Sequence, residues 1–366
     1  MVGHRLPDFP WDSLGAAREK ATAHPDGLVD LSVGTPVDPV PDVVRSALAG
    51  PAADEPGYPT TYGPVALRTA IADSLARRYG ATGVDPAAVL PTIGSKETVA
   101  WLPTLLGLGA GDIVVIPELA YPTYEVGARL AGADHVRSDS LTAAGPGRVK
   151  LVWLNSPSNP TGRVLPVDHL RKVVTWARER GAVVASDECY LGLPGGSDPA
   201  PRSVLHPDVC DGDHTGLLAV HSLSKTSNTA GYRAAYVAGD PSLVSALLEV
   251  RKHAGMIVPR PVQAALQAAV SDDAHVAVQA ALYDARRARL RGGLEAFGLK
   301  IEHSVAGLYL WCTEDEDCRS TVDRLAERGI LVAPGEFYGP AGRRHVRVAL
   351  TASDERIDAA VARLST

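Results

Sequence analysis

The chain has 366 residues, a length that predicts two domains rather than a single core. Its composition, with 45% hydrophobic and 21% charged residues, is that of an ordinary globular protein, and its net charge of −6 argues against a surface that binds nucleic acid or anionic membranes. The apolar runs are too short to span a membrane, and the N-terminus has no signal-peptide pattern. The four cysteines are scattered and lack metal-ligand spacing, which predicts neither a zinc site nor disulfides. Together these features predict a cytoplasmic protein.

The predicted elements alternate between helix and strand over most of the chain. Amphipathic or apolar spacing predicts helices over 64–78, 95–106, 122–130 and 167–180. Short apolar runs predict strands over 113–116, 151–154, 183–186, 216–221 and 234–237. Continuous apolar strands indicate burial on both faces, as in a mainly parallel α/β sheet, whose ligands bind in the loops at the strand ends.

The character of the sequence changes from about Pro261. Long helices rich in Arg and Ala are predicted over 263–297, followed by strands near 308–311, 330–332 and 345–350 and a final helix from Asp354. This order of elements predicts a smaller α+β domain.

Lys225 lies in a polar loop directly after the predicted strand 216–221, in the string HSLSKTSNTAGYR. Burial at the edge of a core lowers the pKa of a lysine and frees a nucleophilic amine, although most lysines are solvated surface groups. Ser222 and Lys225 also match the Ser-x-x-Lys motif of β-lactamase-like acyl enzymes, but the chain lacks the Lys-Thr-Gly and Ser-Asp-Asn motifs that accompany it. The acyl-enzyme interpretation is therefore discarded.

Two further strand ends carry polar side chains. Asp187 follows the predicted strand 183–186, with Tyr190 three residues later; this carboxylate could cap the strand, bind a metal, pair with an arginine or hold a cationic ring nitrogen. No second cluster of metal ligands accompanies it, which disfavours the metal. Asn159 lies in the polar turn 155–162, before a proline at which a cis bond could orient its amide.

Other positions are ambiguous when taken singly. A predicted helix opens with Gly94, Ser95 and Lys96. These residues form either a simple N-cap or an anion-binding site at the helix N-terminus. Tyr121 could stack on a planar cofactor or belong to the core. Arg347, in a predicted strand, could bind a carboxylate with two parallel hydrogen bonds, which most strand arginines do not do.

Taken in order, these residues resemble a known family. The succession is Tyr62-Gly63, Gly94-Ser95-Lys96, Tyr121-Pro122, Asn159-Pro160-Thr161-Gly162, Asp187 with Tyr190, Ser222-Leu223-Ser224-Lys225 with Arg233, and Arg347. It is similar to the fold-type I aminotransferases that use pyridoxal 5'-phosphate, over essentially the whole chain. The resemblance implies a large domain over 41–260 with a seven-stranded, mainly parallel sheet between helices, and a small α+β domain formed by 1–40 and 261–366.

The resemblance also implies a role at the cofactor for each residue. Lys225 would form the Schiff base with the cofactor and then transfer the proton, and Asp187 would pair with the pyridinium nitrogen. Asn159 and Tyr190 would bond to the ring's 3-oxygen, and Tyr121 would stack on the ring. The phosphate would be held by Gly94, Ser95, Lys96, Ser222, Ser224 and Arg233.

For the substrate and the partner subunit, the resemblance implies four further assignments. Arg347 would bind the α-carboxylate of the substrate, with Gly34 and Asn159 beside it. Tyr62 would reach the phosphate of the neighbouring subunit in a homodimer. The distal carboxylates have four candidates by position only, which are Arg5, Arg18, Lys96 and Arg260.

Strings outside the cofactor site resemble one subfamily more closely. FPWDSL, HPDGLVDLSVGTPVDPVP, LVWLNSPSNPTGRVL and RKHAGMIVP are similar to the actinobacterial type of N-succinyl-L,L-diaminopimelate aminotransferase. The resemblance implies that glutamate donates its amino group to N-succinyl-2-amino-6-oxopimelate, in the synthesis of lysine and diaminopimelate. The alternative is an aminotransferase of the same fold that acts on another keto acid, such as an aromatic or prephenate-type acid, or on a broad range of acids.

Overall fold

A seven-stranded sheet lies at the centre of the structure, a computed structural model that describes residues 6–140 and 147–365. The strands of all the sheets in the described residues are β1 (Val29–Asp30), β2 (Val89–Ile93), β3 (Ile113–Ile116), β4 (Asp134–Arg137), β5 (Val149–Asn155), β6 (Val183–Asp187), β7 (Leu217–Ser222), β8 (Ala234–Gly239), β9 (Lys300–Glu302), β10 (Tyr309–Thr313), β11 (Ile330–Leu331), β12 (Ala333–Pro334) and β13 (His345–Ala349).

Helices cover both faces of this sheet and continue into the C-terminal part. They are α1 (Gly15–Thr22), α2 (Asp42–Leu48), α3 (Val65–Tyr79), α4 (Ser95–Leu105), α5 (Thr123–Ala131), α6 (Val167–Arg178), α7 (Pro207–Cys210), α8 (Pro241–Ala254), α9 (Arg260–Ser271), α10 (Ala274–Ala296), α11 (Cys318–Glu327) and α12 (Asp354–Leu364). None of the helices in the described residues is long and apolar enough to cross a membrane.

The large sheet has the strand order β2-β8-β7-β6-β5-β3-β4. The pairs from β7 to β4 are parallel, whereas β8 is antiparallel to both of its neighbours. The prediction of a seven-stranded, mainly parallel sheet is thus confirmed. The two edge strands, β2 and β4, were not predicted, because β2 contains Pro91 and β4 has the polar sequence DHVR, and neither shows the apolar run of a central strand.

The C-terminal part has a four-stranded antiparallel sheet, in the order β12-β13-β10-β9, and the helix pair α10 and α12. The N-terminal strand β1 pairs in parallel with β11, which attaches the N-terminal segment to this part. Helix α9, however, packs Leu266 and Val270 into the core of the large sheet, beyond the predicted boundary at residue 260. The predicted domain limits stay a prediction.

The register of the large sheet brings three strand ends to one edge. Asn155 at the end of β5 is paired with Asp187 at the end of β6, and β7 ends beside them at Ser222. Strand β8 runs in the opposite direction, so Arg233, which precedes it, lies at the same edge next to Ser222. Polar groups separated by up to 78 residues therefore converge because parallel strands end on the same side of a sheet.

Candidate active site

A cavity of about 510 Å³ lies at this edge of the sheet, a size typical of sites for small molecules. Most of the predicted site residues line it, namely Gly34, Ser95, Lys96, Tyr121, Asn159, Asp187, Tyr190, Ser222, Ser224, Lys225, Arg233 and Arg347. The structure therefore brings together residues from both parts of the chain.

Lys225 follows β7 and extends into the cavity, where its Nζ donates a hydrogen bond to the carbonyl oxygen of Gly34. Burial lowers the pKa of Lys225, and the positive charges of Arg347 and Arg233 lower it further against the opposing influence of Tyr309 and Cys189. The amine is therefore easier to deprotonate than an exposed lysine, as a nucleophile requires.

Asp187 presents a buried carboxylate at the end of β6. Its Oδ2 accepts a hydrogen bond from the Tyr124 hydroxyl at 2.8 Å, and its Oδ1 accepts one from the backbone N–H of Cys189 at 3.2 Å. Burial raises its pKa, although these two hydrogen bonds oppose the shift. Among the described residues no lysine or arginine forms an ion pair with this carboxylate. Because a buried charge is costly without a partner, the site suits a ligand that brings a cation to Asp187.

A second part of the cavity suits an anion. Helix α4 begins at Ser95, and its N-cap is Gly94, which provides no side-chain cap, so the backbone N–H groups of the first turn are available. Ser95 is thus the first helical residue and not the N-cap. The guanidinium of Arg233 lies against Gly94 so closely that a Cβ atom there would be 2.0 Å from Nη2. Only glycine permits this approach.

Two hydroxyl groups and a second cation complete the anion-binding part of the cavity. The Ser222 hydroxyl donates to the Ser224 hydroxyl at 2.9 Å and accepts from the Ser224 backbone N–H at 3.1 Å. Burial and the nearby charge of Arg233 lower the pKa of Lys96. Hydroxyls, helix N–H groups and cations converging at one end are the usual partners of a phosphate group.

Arg347, in β13, is only 2% exposed. Its Nη1 donates to Asn159 Oδ1 at 3.0 Å and its Nη2 donates to the carbonyl oxygen of Ser32 at 2.7 Å. Its Nε has no hydrogen-bond partner, and no carboxylate pairs with the guanidinium, within the part of the chain that the structure describes. A buried arginine that lacks an anion but lines a cavity is suited to the carboxylate of a ligand.

Tyrosines surround this arginine and the lysine. The guanidinium carbon of Arg347 lies 3.9 Å from the centre of the Tyr309 ring, and the Tyr309 hydroxyl is 3.1 Å from that of Tyr190. A Cβ atom on Gly34 would lie 2.2 Å from the Tyr309 hydroxyl, so the glycine is needed for this close packing. Burial raises the pKa of Tyr190 well above its usual value and that of Tyr121 to about 12, which keeps both phenols protonated.

Several residues of the cavity were not predicted. Tyr309 was predicted only as part of a strand, because a tyrosine in an apolar segment resembles a core residue. Phe9 and Trp11 also line the cavity. Their string FPW was noted as a subfamily feature, and two aromatic residues outside any predicted element were the available signal.

Three predicted residues do not line the cavity themselves, namely Gly94, Tyr62 and Arg260. Tyr62, which was predicted to reach the site of a neighbouring subunit, donates its hydroxyl to the carbonyl oxygen of Ala87 at 2.7 Å within the same chain. Arg260 binds the carbonyl oxygens of Gly57 and Tyr58 at 3.1 and 3.2 Å, outside the cavity. Arg5 lies outside the described residues.

Comparisons with known proteins agree with this geometry. Residues 26–364 match the family model of class I and II aminotransferases. The chain is 64% identical over its whole length to a probable aminotransferase of Mycobacterium tuberculosis, covering 86% of that protein. It is 58% identical to the 4-dedimethylamino-4-oxo-anhydrotetracycline transaminase of Streptomyces rimosus, over 98% of this chain and 99% of the relative.

A solved structure shows the same fold. It is that of a probable N-succinyldiaminopimelate aminotransferase from Thermus thermophilus, which is 29% identical, with a TM-score of 0.86 over 98% of this chain and 99% of the other. The family match covers more than half of the chain and includes the cavity residues from Gly34 to Arg347, whereas Phe9, Trp11 and helix α1 precede it. This chain therefore belongs to the class I and II aminotransferases, which depend on pyridoxal 5'-phosphate.

Proposed function

We propose that this aminotransferase transfers the amino group of glutamate to N-succinyl-2-amino-6-oxopimelate, giving N-succinyl-L,L-2,6-diaminopimelate and 2-oxoglutarate. The observation that carries the proposal is a cavity with cations at separate positions: the buried Arg347, with an unpaired Nε, and Arg18, which lines the cavity from helix α1. Both substrates are amino or keto acids with a second, distal carboxylate. The name of the Thermus thermophilus relative and the subfamily strings support the same substrate class.

The charges of the cavity fit pyridoxal 5'-phosphate. Asp187, the buried carboxylate without a cationic partner, would hold the ring nitrogen in its protonated form. Tyr121 would stack on the ring, and Asn159 and Tyr190 would bond to the ring oxygen. The phosphate would be held by Gly94, Ser95, Lys96, Ser222, Ser224 and Arg233. When bound, the cofactor withdraws electrons from the α-carbon of the substrate and carries the amino group between the two substrates.

Lys225 is the catalytic residue of this proposal. Its Nζ, more easily deprotonated because burial lowers its pKa, would bind the cofactor covalently and then move the proton of the substrate α-carbon. The hydrogen bond to the carbonyl oxygen of Gly34 orients this amine toward the cavity. Arg347 would hold the α-carboxylate of each substrate in turn, so that the two acids react in the same orientation.

We further propose that the active form is a homodimer in which the loop before helix α3 reaches the neighbouring site. Tyr62 was the predicted crossing residue, but its hydroxyl is bonded to Ala87 and Arg68 lies 3.8 Å from its ring centre. Tyr58, on the same loop, is 96% exposed. We therefore expect Tyr58, and not Tyr62, to contact the partner.

Paired substitutions test this assignment. Tyr58→Phe should weaken cofactor affinity about tenfold through the loss of one hydrogen bond to a charged group, whereas Tyr62→Phe should leave it unchanged. Cofactor titration of the apoprotein measures both, and sedimentation velocity gives the oligomeric state. A monomeric holoenzyme would contradict the proposed dimer.

The proposed reaction is tested in two half-reactions. The absorbance spectrum of the cofactor-loaded protein should change on addition of glutamate, and 2-oxoglutarate should appear in equal amount. Addition of N-succinyl-2-amino-6-oxopimelate should then restore the initial spectrum and release the aminated product, identified by mass spectrometry. Alanine is the control donor, since it lacks the distal carboxylate. A spectrum that responds to glutamate but not to the succinylated keto acid would reject this acceptor.

A second acceptor class has support from one observation. Phe9 and Trp11 line the cavity with ring centres 5.6 Å apart, and Trp11 packs on Phe337 at 5.3 Å. Aromatic side chains stack on planar substrates, and the name of the Streptomyces rimosus relative describes a polycyclic ketone. The alternative is therefore an aromatic keto acid or ring ketone. A panel of phenylpyruvate, prephenate and a polycyclic ketone in the second half-reaction distinguishes the two classes.

A further inference from the structure

One short stretch of backbone is bonded to three cations of the cavity. We name residues 30–34 the anchor segment. Arg18 forms an ion pair with Asp30 (Nη2 to Oδ2, 2.9 Å), Arg347 donates to the Ser32 carbonyl oxygen at 2.7 Å, and Lys225 donates to that of Gly34. A five-residue segment spans at most about 18 Å when extended. The anchor segment therefore fixes the positions of all three cations relative to one another.

The connection between Arg18 and Arg347 is continuous. The second carboxylate oxygen of Asp30, Oδ1, accepts hydrogen bonds from the backbone N–H and the hydroxyl of Ser32, at 2.9 and 2.6 Å. The carbonyl oxygen of the same serine, which is fully buried, binds Arg347. The sequence of contacts is thus Arg18, Asp30, Ser32 and Arg347. Asp30 thus contacts Arg18 directly, and it is linked to Arg347 only through Ser32.

Arg18 is a cavity cation that has not been assigned to the cofactor or to the α-carboxylate. It projects from helix α1, its side chain is 46% exposed, and it lines the cavity together with Phe9 and Trp11. Lys96, whose Nζ lies 5.4 Å from the Phe9 ring centre, is among the residues assigned above to the phosphate. An anion that extends from Arg347 therefore has Arg18 as its remaining candidate partner.

We propose that Arg18, oriented by Asp30, binds the distal carboxylate of dicarboxylic substrates, and that the anchor segment sets its distance from Arg347. This inference rests on the proposed function, in which both substrates carry a distal carboxylate. The ion pair with Asp30 does not occupy the guanidinium, which has five N–H donors and can hold one carboxylate on each of two edges. Asp30 thus selects one orientation of a long, flexible side chain and reduces the entropy lost on binding.

The test is calorimetric titration of the cofactor-loaded protein with glutarate and with pentanoate. The two acids have chains of equal length and differ in the distal carboxylate alone. Arg18→Gln should weaken glutarate binding about tenfold, the effect of one charge-assisted hydrogen bond at a partly exposed site, and leave pentanoate binding unchanged. Arg18→Lys keeps the positive charge but loses the paired N–H donors of the guanidinium, and it should retain part of the preference for glutarate over pentanoate. Lys20→Gln is the matched control, because Lys20 lies on the same helix and pairs with Asp323 at 2.6 Å.

A double-mutant cycle tests the role of Asp30. Asp30→Asn, whose amide oxygen can still accept from Ser32, should reduce glutarate affinity by less than Arg18→Gln, and the double variant should bind like Arg18→Gln alone. Additive effects would reject the orienting role.

The outcomes separate the two proposals. A wild-type protein that prefers glutarate, with a preference lost in Arg18→Gln alone, supports the inference. If the preference survives in Arg18→Gln, the inference fails while the proposed function stands. An equal loss of glutarate and pentanoate binding also overturns it, since the residue then acts on the Arg347 end. A wild-type protein without any preference for glutarate rejects both the inference and the proposed dicarboxylic substrates.

Discussion

The two sides of the cavity differ in burial. On the sheet side, Asp187 is 6% exposed and Arg347 2%, and each is held by at least two hydrogen bonds. On the side of the N-terminal segment, Phe9 is 53% exposed and the Arg18 side chain 46%. Electrostatic interactions are strong where water is excluded and weak where it is not.

This difference separates chemistry from substrate choice. The buried side carries the residues that the family resemblance assigns to the cofactor, in an environment that shifts their pKa values and fixes their orientation. In the proposed function, the residues of the exposed side contact the variable part of a substrate. We expect a substitution there to change affinity modestly and to leave the cofactor in place, so that one fold can serve several keto acids.

The largest effect is expected from Lys225→Ala on the buried side. Removal of the amine eliminates both the covalent bond to the cofactor and the proton transfer at Nζ, so turnover should fall by about 10⁴-fold or more. Borohydride reduction followed by mass spectrometry should show no cofactor attached to the variant protein. Normal activity of this variant would show that the assignment of Lys225 is wrong.

Asp187→Asn should reduce kcat by about 10²-fold or more, the equivalent of removing one partner of a buried ion pair. Tyr124→Phe, which removes only the hydrogen bond to Asp187, should reduce it about tenfold or less. Because burial raises the pKa of Asp187, its charge disfavours folding near neutral pH, and the melting temperature of the apoprotein should not fall in Asp187→Asn. A variant that loses stability but keeps kcat would assign Asp187 to structure instead.

The lowered pKa of Lys225 predicts a pH dependence of cofactor attachment. Below this pKa the amine is protonated and lacks a free electron pair, so the rate of attachment should fall about tenfold for each pH unit. Above it the rate should level off, and it should do so well before pH 10.5, the ordinary pKa of lysine. Stopped-flow absorbance of the apoprotein mixed with cofactor measures the profile. A rate that still rises at the ordinary pKa would contradict the effect of burial.

The smallest effect is expected on the exposed side. The Phe9 ring centre lies 5.4 Å from Lys96 Nζ, a contact worth about 0.5–1 kcal/mol at an exposed position. Phe9→Ala should therefore raise the KM for the keto acid about three-fold, with kcat unchanged. Steady-state kinetics with both substrates decide the point, and Phe9→Leu is the control for lost apolar area. A fall of kcat comparable to that of Asp187→Asn would remove the distinction between the two sides.

Local patterns predicted most of the buried side. Asp187 and Ser222 each end a continuous apolar run, so a strand and the polar group at its end are both readable from adjacent residues. Helix α4 likewise follows from the apolar stretch after Gly94. The edge strands β2 and β4 were missed because an edge strand needs no continuous apolar run.

Neighbouring residues and motifs at fixed spacing were enough to predict most of the elements, the proposed catalytic lysine and the family. The tertiary structure alone decided which distant residues meet. Arg347 binds Ser32 across 315 positions of the chain, and Tyr309 packs on Gly34. No local pattern encodes these contacts, because they arise when the N-terminal segment and the C-terminal sheet close over the ends of parallel strands.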